Sequence, residues 1–463
     1  MQSEDGGRQH GKPAETQEKD REMKDYRADL ERIFMSAVEY ADAEHLVRNA
    51  VMNDGKCIMI DSEYLCDLRK IYMFALGKAA SAMAKGFMSV CDVAKGVVVS
   101  NKVEKFPDHI EVIKAGHPLP DQGSVEGANA MKKLAAEADE DTLCVFLVSG
   151  GGSAMLSAPA FGITLEEHIK TFDLLIRSGA DIEDINIVRR HISEIKGGKL
   201  GEMAAPAMCV TLAISDVVAG SPETIASGPT FTDHTTWADT AEVIERYNLF
   251  RKLPERVAEV IRNGEAGLLP ETVKKDRSQY RYHILASNLG GLERAADTAH
   301  LLGYKVRMYG QLDCTARAAA ELMAARAAEN LINASDVPVC MIFGGEVTVH
   351  VTGDGKGGRC QQLALEYLLL DKPSDTFALC ASTDGQDGDT DAAGAFADGS
   401  LSLEGAEEAI LTNDAYNFFD RNNSLIFTGK TGTNINDLYI VIIPQFESSG
   451  LLHAYEADSS FML

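Results

Sequence analysis

The chain has 463 residues, of which 45% are apolar and 25% charged, with a formal net charge of −26. That length accommodates two domains. The acidic balance excludes a general nucleic-acid or anionic-membrane partner, since both require a basic footprint; it leaves room for a small anionic ligand held by a few local cations. No apolar run approaches the roughly 20 residues a membrane-spanning helix needs. Nine cysteines stand singly, without CxxC spacing, and read as free thiols of a reducing compartment. Residues 1–25 are polar and mixed in charge, which suits neither a secretory nor a transit peptide. They read as a disordered tail on a cytoplasmic protein whose oligomeric state is left open, homo-oligomer included.

Order begins near Tyr26 with an amphipathic helical pattern running to Ala50. Strands are predicted at Ile71–Leu76, Gly96–Ser100, His109–Ala115, Leu143–Val148 and Ala207–Ser215. Helices are predicted at Lys78–Val90, Val125–Ala138, Thr164–Arg177 and Ile182–Glu194. Such alternation implies a parallel sheet covered by helices on both faces. A mostly helical stretch, Thr235–Asp276, precedes a second alternating set. In that set Tyr282–Ala286, Tyr304–Tyr309 and Val337–Phe343 are the strands, and Leu289–Leu302 and Thr315–Leu331 the helices. The expected division is a Rossmann-like α/β/α unit over 26–270 and a second α/β unit over 271–463, with the boundary near 265–280.

Ligands of open parallel sheets sit outside the carboxyl ends of the strands, so the turns there carry the functional signal. In FALGKAASAMA (Phe74–Ala84), Lys78 opens a helix, where the dipole disfavours a cation unless an anion is also bound. In LVSGGGSAML (Leu147–Leu156), Gly150, Gly151, Gly152 and Ser153 offer bare backbone N–H groups to an anion. Asp216 follows its strand directly and suits a metal ligand, a hydroxyl-orienting base or a helix cap. Arg190 and Lys196, in VRRHISEIK, are secondary candidates for phosphate contact. The alternatives are a solvated lysine at Lys78 and a tight turn at the glycines.

The fourth turn is expected between a strand at Glu346–Val351 and a helix opened by Arg359. Gly353, Gly355 and Gly358 satisfy G-x-G-x-x-G, a weak signal alone. No acidic residue ends the next strand at the expected place, so a phosphate cradle of Gly355, Gly357 and Gly358 with Arg359 as charge clamp is preferred to a dinucleotide site. The loop Ser382–Asp398 is dense in Asp and Gly and lacks an EF-hand's glycine and final glutamate; the alternative to a metal site is a solvated surface loop. Asp384 and Asp387 there suit Mg²⁺, which takes one or two carboxylates plus phosphate oxygens. Phe427–Leu438 contains Gly429-Lys430-Thr431 without the first glycine of a P-loop, and offers Thr433 and Asn434 to a ligand. His117 reads as positional and His191 as structural. No nucleophile elbow is present.

Together these segments resemble the class II glycerate kinase (glycerate 2-kinase) family. They are LGKAASAMA, AGHPLPDQGS, LVSGGGSAML, NIVRRHISEIKGGKL, SDVV…IASGPT, GGEVTVHVTGDGKGGR, STDGQDGDTDAAGA and TGKTGTNINDL, in the family's order over roughly residues 30–445. The portion from about 338 resembles that family's MOFRL domain. The resemblance implies two α/β domains with the active site in the cleft between them, and ATP- and Mg²⁺-dependent phosphorylation of D-glycerate at its 2-hydroxyl. It places the catalytic lysine on Lys78 and the catalytic arginine on Arg359. The chain departs from the pattern at Cys360, Gln362 and Lys430. Two other classes stay open: an NAD(P)-dependent hydroxypyruvate or tartronate-semialdehyde reductase, and a non-catalytic sensor of a small acid.

Overall fold

A computed structural model describes residues 25–445, apart from 61–62, 67, 216–221, 276–278, 333–336 and 374. Fifteen strands are described, and they form three sheets. β1 (Val51–Asn53), β2 (Cys57–Ile60) and β3 (Glu63–Cys66) make a small antiparallel sheet. A fully parallel six-stranded sheet contains β4 (Lys70–Leu76), β5 (Lys95–Ser100), β6 (Ile110–Lys114), β7 (Thr142–Val148), β8 (Met208–Ile214) and β9 (Tyr280–Ala286). A second six-stranded sheet contains β10 (Lys305–Leu312), β11 (Val339–Gly345), β12 (Phe377–Ser382), β13 (Gly394–Asp398), β14 (Leu425–Ile426) and β15 (Asp437–Ile443).

The parallel sheet runs β6-β5-β4-β7-β8-β9. Chain order therefore reverses between β4 and β7, and such a switch point opens a crevice at the strands' carboxyl ends. Alternation along the buried strands sends successive side chains to opposite faces. Met73 and Ala75 pack with Met83 and Phe87 of the helix Ala80–Met88. Phe74 and Leu76 pack with Met131 and Leu134 of the helix Gln122–Ala136. The expected α/β/α sandwich is thus present.

The second sheet runs β10-β11-β15-β12-β13-β14, and only β10 and β11 pair in parallel. One face packs on the helices Ala316–Ile332 and Arg359–Leu369. The other packs on Asn288–Leu301 and on the chain's first described helix, Tyr26–Tyr40, whose Leu30, Ile33 and Phe34 are fully buried among Leu292, Ala295, Ile440 and Ile442.

Several expectations are corrected. The N-terminal pattern breaks at Ala41–Asp42, where Asp42 caps a separate helix, Ala43–Ala50. That helix packs through Ala43 and Val47 on the first core, not on the second. Tyr282–Ala286, expected to open the second unit, lies in β9, the edge strand of the first sheet, so the first sheet extends past 270. The strand expected at Glu346–Val351 is an irregular segment with a single bridge, Thr315 to Thr348. Cys57 and Cys66 are not free: antiparallel register sets them opposite one another, with Cα atoms 4.4 Å apart, and they form a disulfide. The remaining seven cysteines are free. Among the described residues no helix is long and apolar enough to cross a membrane. Residues 1–24 of the expected tail, and Asp216, lie outside the described residues.

The first helix docks on the second sheet by buried apolar contact. Phe34→Ala should therefore cost about 3–5 kcal/mol, the usual loss for a fully buried phenylalanine, read as a lowered midpoint in urea unfolding. An unchanged midpoint would show that this helix is not part of the core.

Candidate active site

The carboxyl ends of β4 and β7 meet at the switch point, and their turns build each other. Gly77 adopts φ +109°, and a Cβ there would lie 2.4 Å from the Ser149 carbonyl oxygen, so only glycine allows this approach. The Lys78 amide donates to the Gly150 carbonyl at 2.9 Å, and the Ala79 amide to Ser149 Oγ at 3.0 Å. The glycine cluster that follows β7 thus fixes the backbone that presents Lys78.

Lys78 Nζ lies 3.0 Å from Asp384 Oδ2, at the end of β12, so the pair joins the two large sheets across a cleft. Asp384 Oδ1 also accepts from Ser382 Oγ and from the Gln386 amide. Arg359, the first residue of its helix, donates through Nε and Nη2 to both oxygens of the fully buried Asp437, at 2.6 and 3.0 Å. It also pairs with Glu346 at 2.5 Å. Burial alone would favour neutral Arg359, but the two carboxylates outweigh it and raise its pKa.

Around these pairs lies a cavity of about 800 Å³, lined by Lys78, Arg359, Asp384, Asp387 and Thr433 among the expected residues. Other polar residues join them, among them Asn101 and Lys102 past β5, His117 past β6, Ser382, Gln386, exposed Asp389, and Lys430. The same strand-end rule covers Asn101, Lys102 and His117. Burial and then the Lys430 charge hold the Lys102 pKa down, so two ammonium groups from opposite sides of the cleft repel across it. Crowding by protein atoms, then the Lys78 charge, lowers His117 to about 4, which leaves its ring neutral at pH 7. Thr433 Oγ1 is buried without a hydrogen-bond partner.

Other expected residues have different duties. Asp387 is buried, and its two oxygens accept from the Cys360 and Gln361 amides at 3.0 and 2.8 Å. It caps the Arg359 helix in place of Gly358, whose missing side chain makes room for it, so its carboxylate is engaged away from the metal role expected of it. Burial raises its pKa to about 7. The Gly355 amide donates to the Thr412 carbonyl, and the Gly353 and Lys356 amides to Asn413 and Asp414 side chains. That turn is packed against its neighbours and does not expose the N–H cradle expected of Gly355. Gly357 lies over Asn413 and Ala415. Asn434 Oδ1 accepts from the Asn436 amide inside its own turn. Arg190 pairs with buried Asp233 at 3.1 Å and not with the cleft. Buried Lys196 donates to the Ala226 carbonyl at 3.2 Å. His191 is structural as expected, bonded to Ile187 and Glu271. Gly152 is buried against Ala226 and Leu76, whereas Gly151 and Ser153 line a smaller pocket that shares His117 and Pro118 with the cleft.

His168, in the helix Leu165–Arg177, lines that smaller pocket and is 3% exposed. Burial, then the Lys196 and Arg189 charges, lower its pKa to about 3. The folded state keeps this ring neutral while the unfolded chain protonates it below about pH 6.5. Its contribution to stability is therefore complete above pH 6.5 and lost as pH falls towards 3. Thermal melting from pH 7 to 4 should show His168→Gln with a shallower acid limb than the parent chain; parallel limbs would mean that the ring does not stay neutral.

Family models match over residues 29–262, the domain of unknown function DUF4147, and over 339–437, the MOFRL family. A glycerate 2-kinase of Pyrococcus horikoshii is 38% identical, with 89% of this chain and 96% of the relative covered. A D-glycerate 2-kinase of Thermotoga maritima is 36% identical, covering 81% and 91%. A protein of Agrobacterium vitis called a putative hydroxypyruvate reductase is 36% identical, covering 84% and 100%. A crystal structure of glycerate kinase from Thermotoga maritima superposes with a TM-score of 0.76 at 34% identity, covering 89% of this chain and 98% of that one.

Proposed function

This chain belongs to the glycerate kinase family, and we propose that it transfers the γ-phosphoryl group of ATP to the 2-hydroxyl of D-glycerate, giving 2-phospho-D-glycerate and ADP. The observation that carries this reading is the cleft: cations from both large sheets converge on one cavity of nucleotide size. Phosphoryl transfer requires positioning and charge neutralisation more than covalent chemistry, and the cleft offers both. Lys102 and Lys430, which make no ion pair within 4 Å among the described residues, suit a polyphosphate. Lys78 and Arg359 sit in carboxylate pairs and can lend charge as the transferring group develops it.

Among the described residues no cluster of three or more metal-ligating side chains exists. Asp384, exposed Asp389 and the Ser382 hydroxyl still fit a Mg²⁺ ion that keeps most of its contacts to phosphate oxygens and water. Such an ion would neutralise phosphate charge. In the transfer, a bond forms between the substrate's 2-oxygen and Pγ, the bond from Pγ to the β,γ-bridging oxygen breaks, and the hydroxyl proton leaves. The chain's own part is to orient the hydroxyl, hold the phosphates and, on closure, exclude water.

The name of the Agrobacterium relative favours a reductase as second reading. Against it stands the packed Gly353–Gly358 turn, whose Gly355 amide is already spent on Thr412. A coupled ADP-release assay with D-glycerate and MgATP, with the product read by phosphorus NMR, should give turnover and 2-phosphoglycerate. Oxidation of NAD(P)H by hydroxypyruvate without ADP release would establish the reductase instead. Lys78→Ala and Arg359→Ala should each lower kcat by roughly 10²-fold or more; near-normal turnover in both would remove these assignments.

A further inference from the structure

Beside the cleft lies a second pocket of about 250 Å³, below the roughly 300–1,000 Å³ of pockets for drug-sized ligands, so its occupant is small. Its lining is apolar at Leu119, Ile169, Phe172 and Ile176 and polar at Ser153, His168, Arg189 and Asp173, whose carboxylate is paired with Arg177. Arg189 and Ser153 belong to a connected network. Arg189 Nη1 reaches Asn186 Oδ1 at 2.8 Å and Ser227 Oγ at 3.5 Å. Ser227 Oγ lies 2.8 Å from Ser153 Oγ and donates to Asn186 Oδ1 at 3.1 Å.

Three features mark this network as a site and not as packing. Lys196 lies behind it, fully buried, where burial and then the Arg189 charge pull its pKa well below the ordinary lysine value; among the described residues Arg189 itself has no carboxylate partner, although buried charges are normally paired. The Arg189 guanidinium stacks 4.9 Å over Phe172, which fixes its plane, and among the described residues its hydrogen bonds to neighbouring side chains all come from Nη1. His168, 3% exposed, has no hydrogen-bond partner at either ring nitrogen among the described residues. A buried guanidinium without a carboxylate partner is relieved by an anion.

We propose that this pocket is an oxyanion subsite in which Arg189, beside Ser153 and held in place by Phe172 and Asn186, takes the carboxylate of the acid substrate. The substrate identity rests on the kinase reading above. A planar guanidinium matches a carboxylate's two oxygens, and neutral hydroxyl and amide groups suit a singly charged, hydroxylated acid. The more highly charged phosphates belong with the cations of the larger cavity. His117 and Pro118 line both spaces, so an acid anchored here carries its hydroxyl towards Lys78.

Arg189→Gln, with Arg189→Lys as the charge-retaining control, tests this by steady-state kinetics and by thermal melting with D-glycerate, inorganic phosphate or MgATP alone. The expected result is a rise of tenfold or more in KM for glycerate, with KM for ATP within twofold and partial recovery in the lysine variant. D-glycerate should raise the parent chain's Tm but not that of Arg189→Gln. Without ligand, Arg189→Gln should melt no lower than the parent, because it removes an uncompensated charge. A ligand-free Tm several degrees lower, with glycerate still bound, would make Arg189 structural and overturn the proposal. A rise in KM for ATP alone would assign the subsite to a nucleotide phosphate and overturn the carboxylate. A parent chain that binds D-glycerate through Arg189 yet turns nothing over would sink the kinase reading and keep the subsite. Equal glycerate binding in both proteins, or none in either, overturns the proposal.

Discussion

An ammonium group from the end of one sheet meets a carboxylate from the end of another at 3.0 Å, and the organisation of the cleft follows from that contact. Lys78 can reach Asp384 only because Gly77 lets β4 turn against Ser149, and because the turn after β7 gives up a carbonyl and a hydroxyl to hold it. Both side chains are mostly withdrawn from water, so neither is cheaply left alone. The pair ties the sheets together and keeps a cation and an acid beside the cavity. Arg359 repeats the device with Asp437 and Glu346. In a strongly acidic protein, the cleft holds its two central cations in place with carboxylates.

The smaller pocket follows the opposite electrostatic plan. Arg189 lacks a carboxylate partner among the described residues, burial and its charge pull the Lys196 pKa well down, and the neighbouring His168 is kept neutral. Paired cations are stable without a ligand and can exchange partners; uncompensated buried cations carry a cost that an incoming anion relieves. The two plans lie side by side, joined at His117.

Much of this was legible in the sequence because parallel strands are buried on both faces and announce themselves as continuous apolar runs. β4, β5, β7 and β8 did so, and the residues just past β4, together with Asp384 past β12, led to the cleft. Residues whose function depends on distant partners were not legible. Nothing local distinguishes Arg189 from Arg190, yet the first faces the pocket and the second is neutralised by Asp233. Gly353, Gly355 and Gly358 carry a phosphate-loop spacing, but Thr412 and Asp387 require the same absence of side chains for packing. Cys57 and Cys66 meet only through hairpin register, which spacing alone does not reveal. The turn of the chain back to the first sheet at β9 was missed because a strand pattern does not say which sheet receives it.

The docking of the helix Tyr26–Tyr40 on the second sheet has a mechanical consequence. The described chain starts in the second body, leaves it at Ala41–Asp42 to build the whole parallel sheet, and returns at Ser287, so the first body is an insertion within the second. Two peptide crossings therefore join the bodies, and they lie side by side: Gly290 is bare where a Cβ would sit 2.3 Å from the Tyr40 hydroxyl. A single crossing would act as a swivel. Two adjacent crossings act as a door hinge, which permits opening about the line through them and resists twist. On such a hinge the Lys78 and Asp384 edges can part and meet again in register, without any searching for alignment.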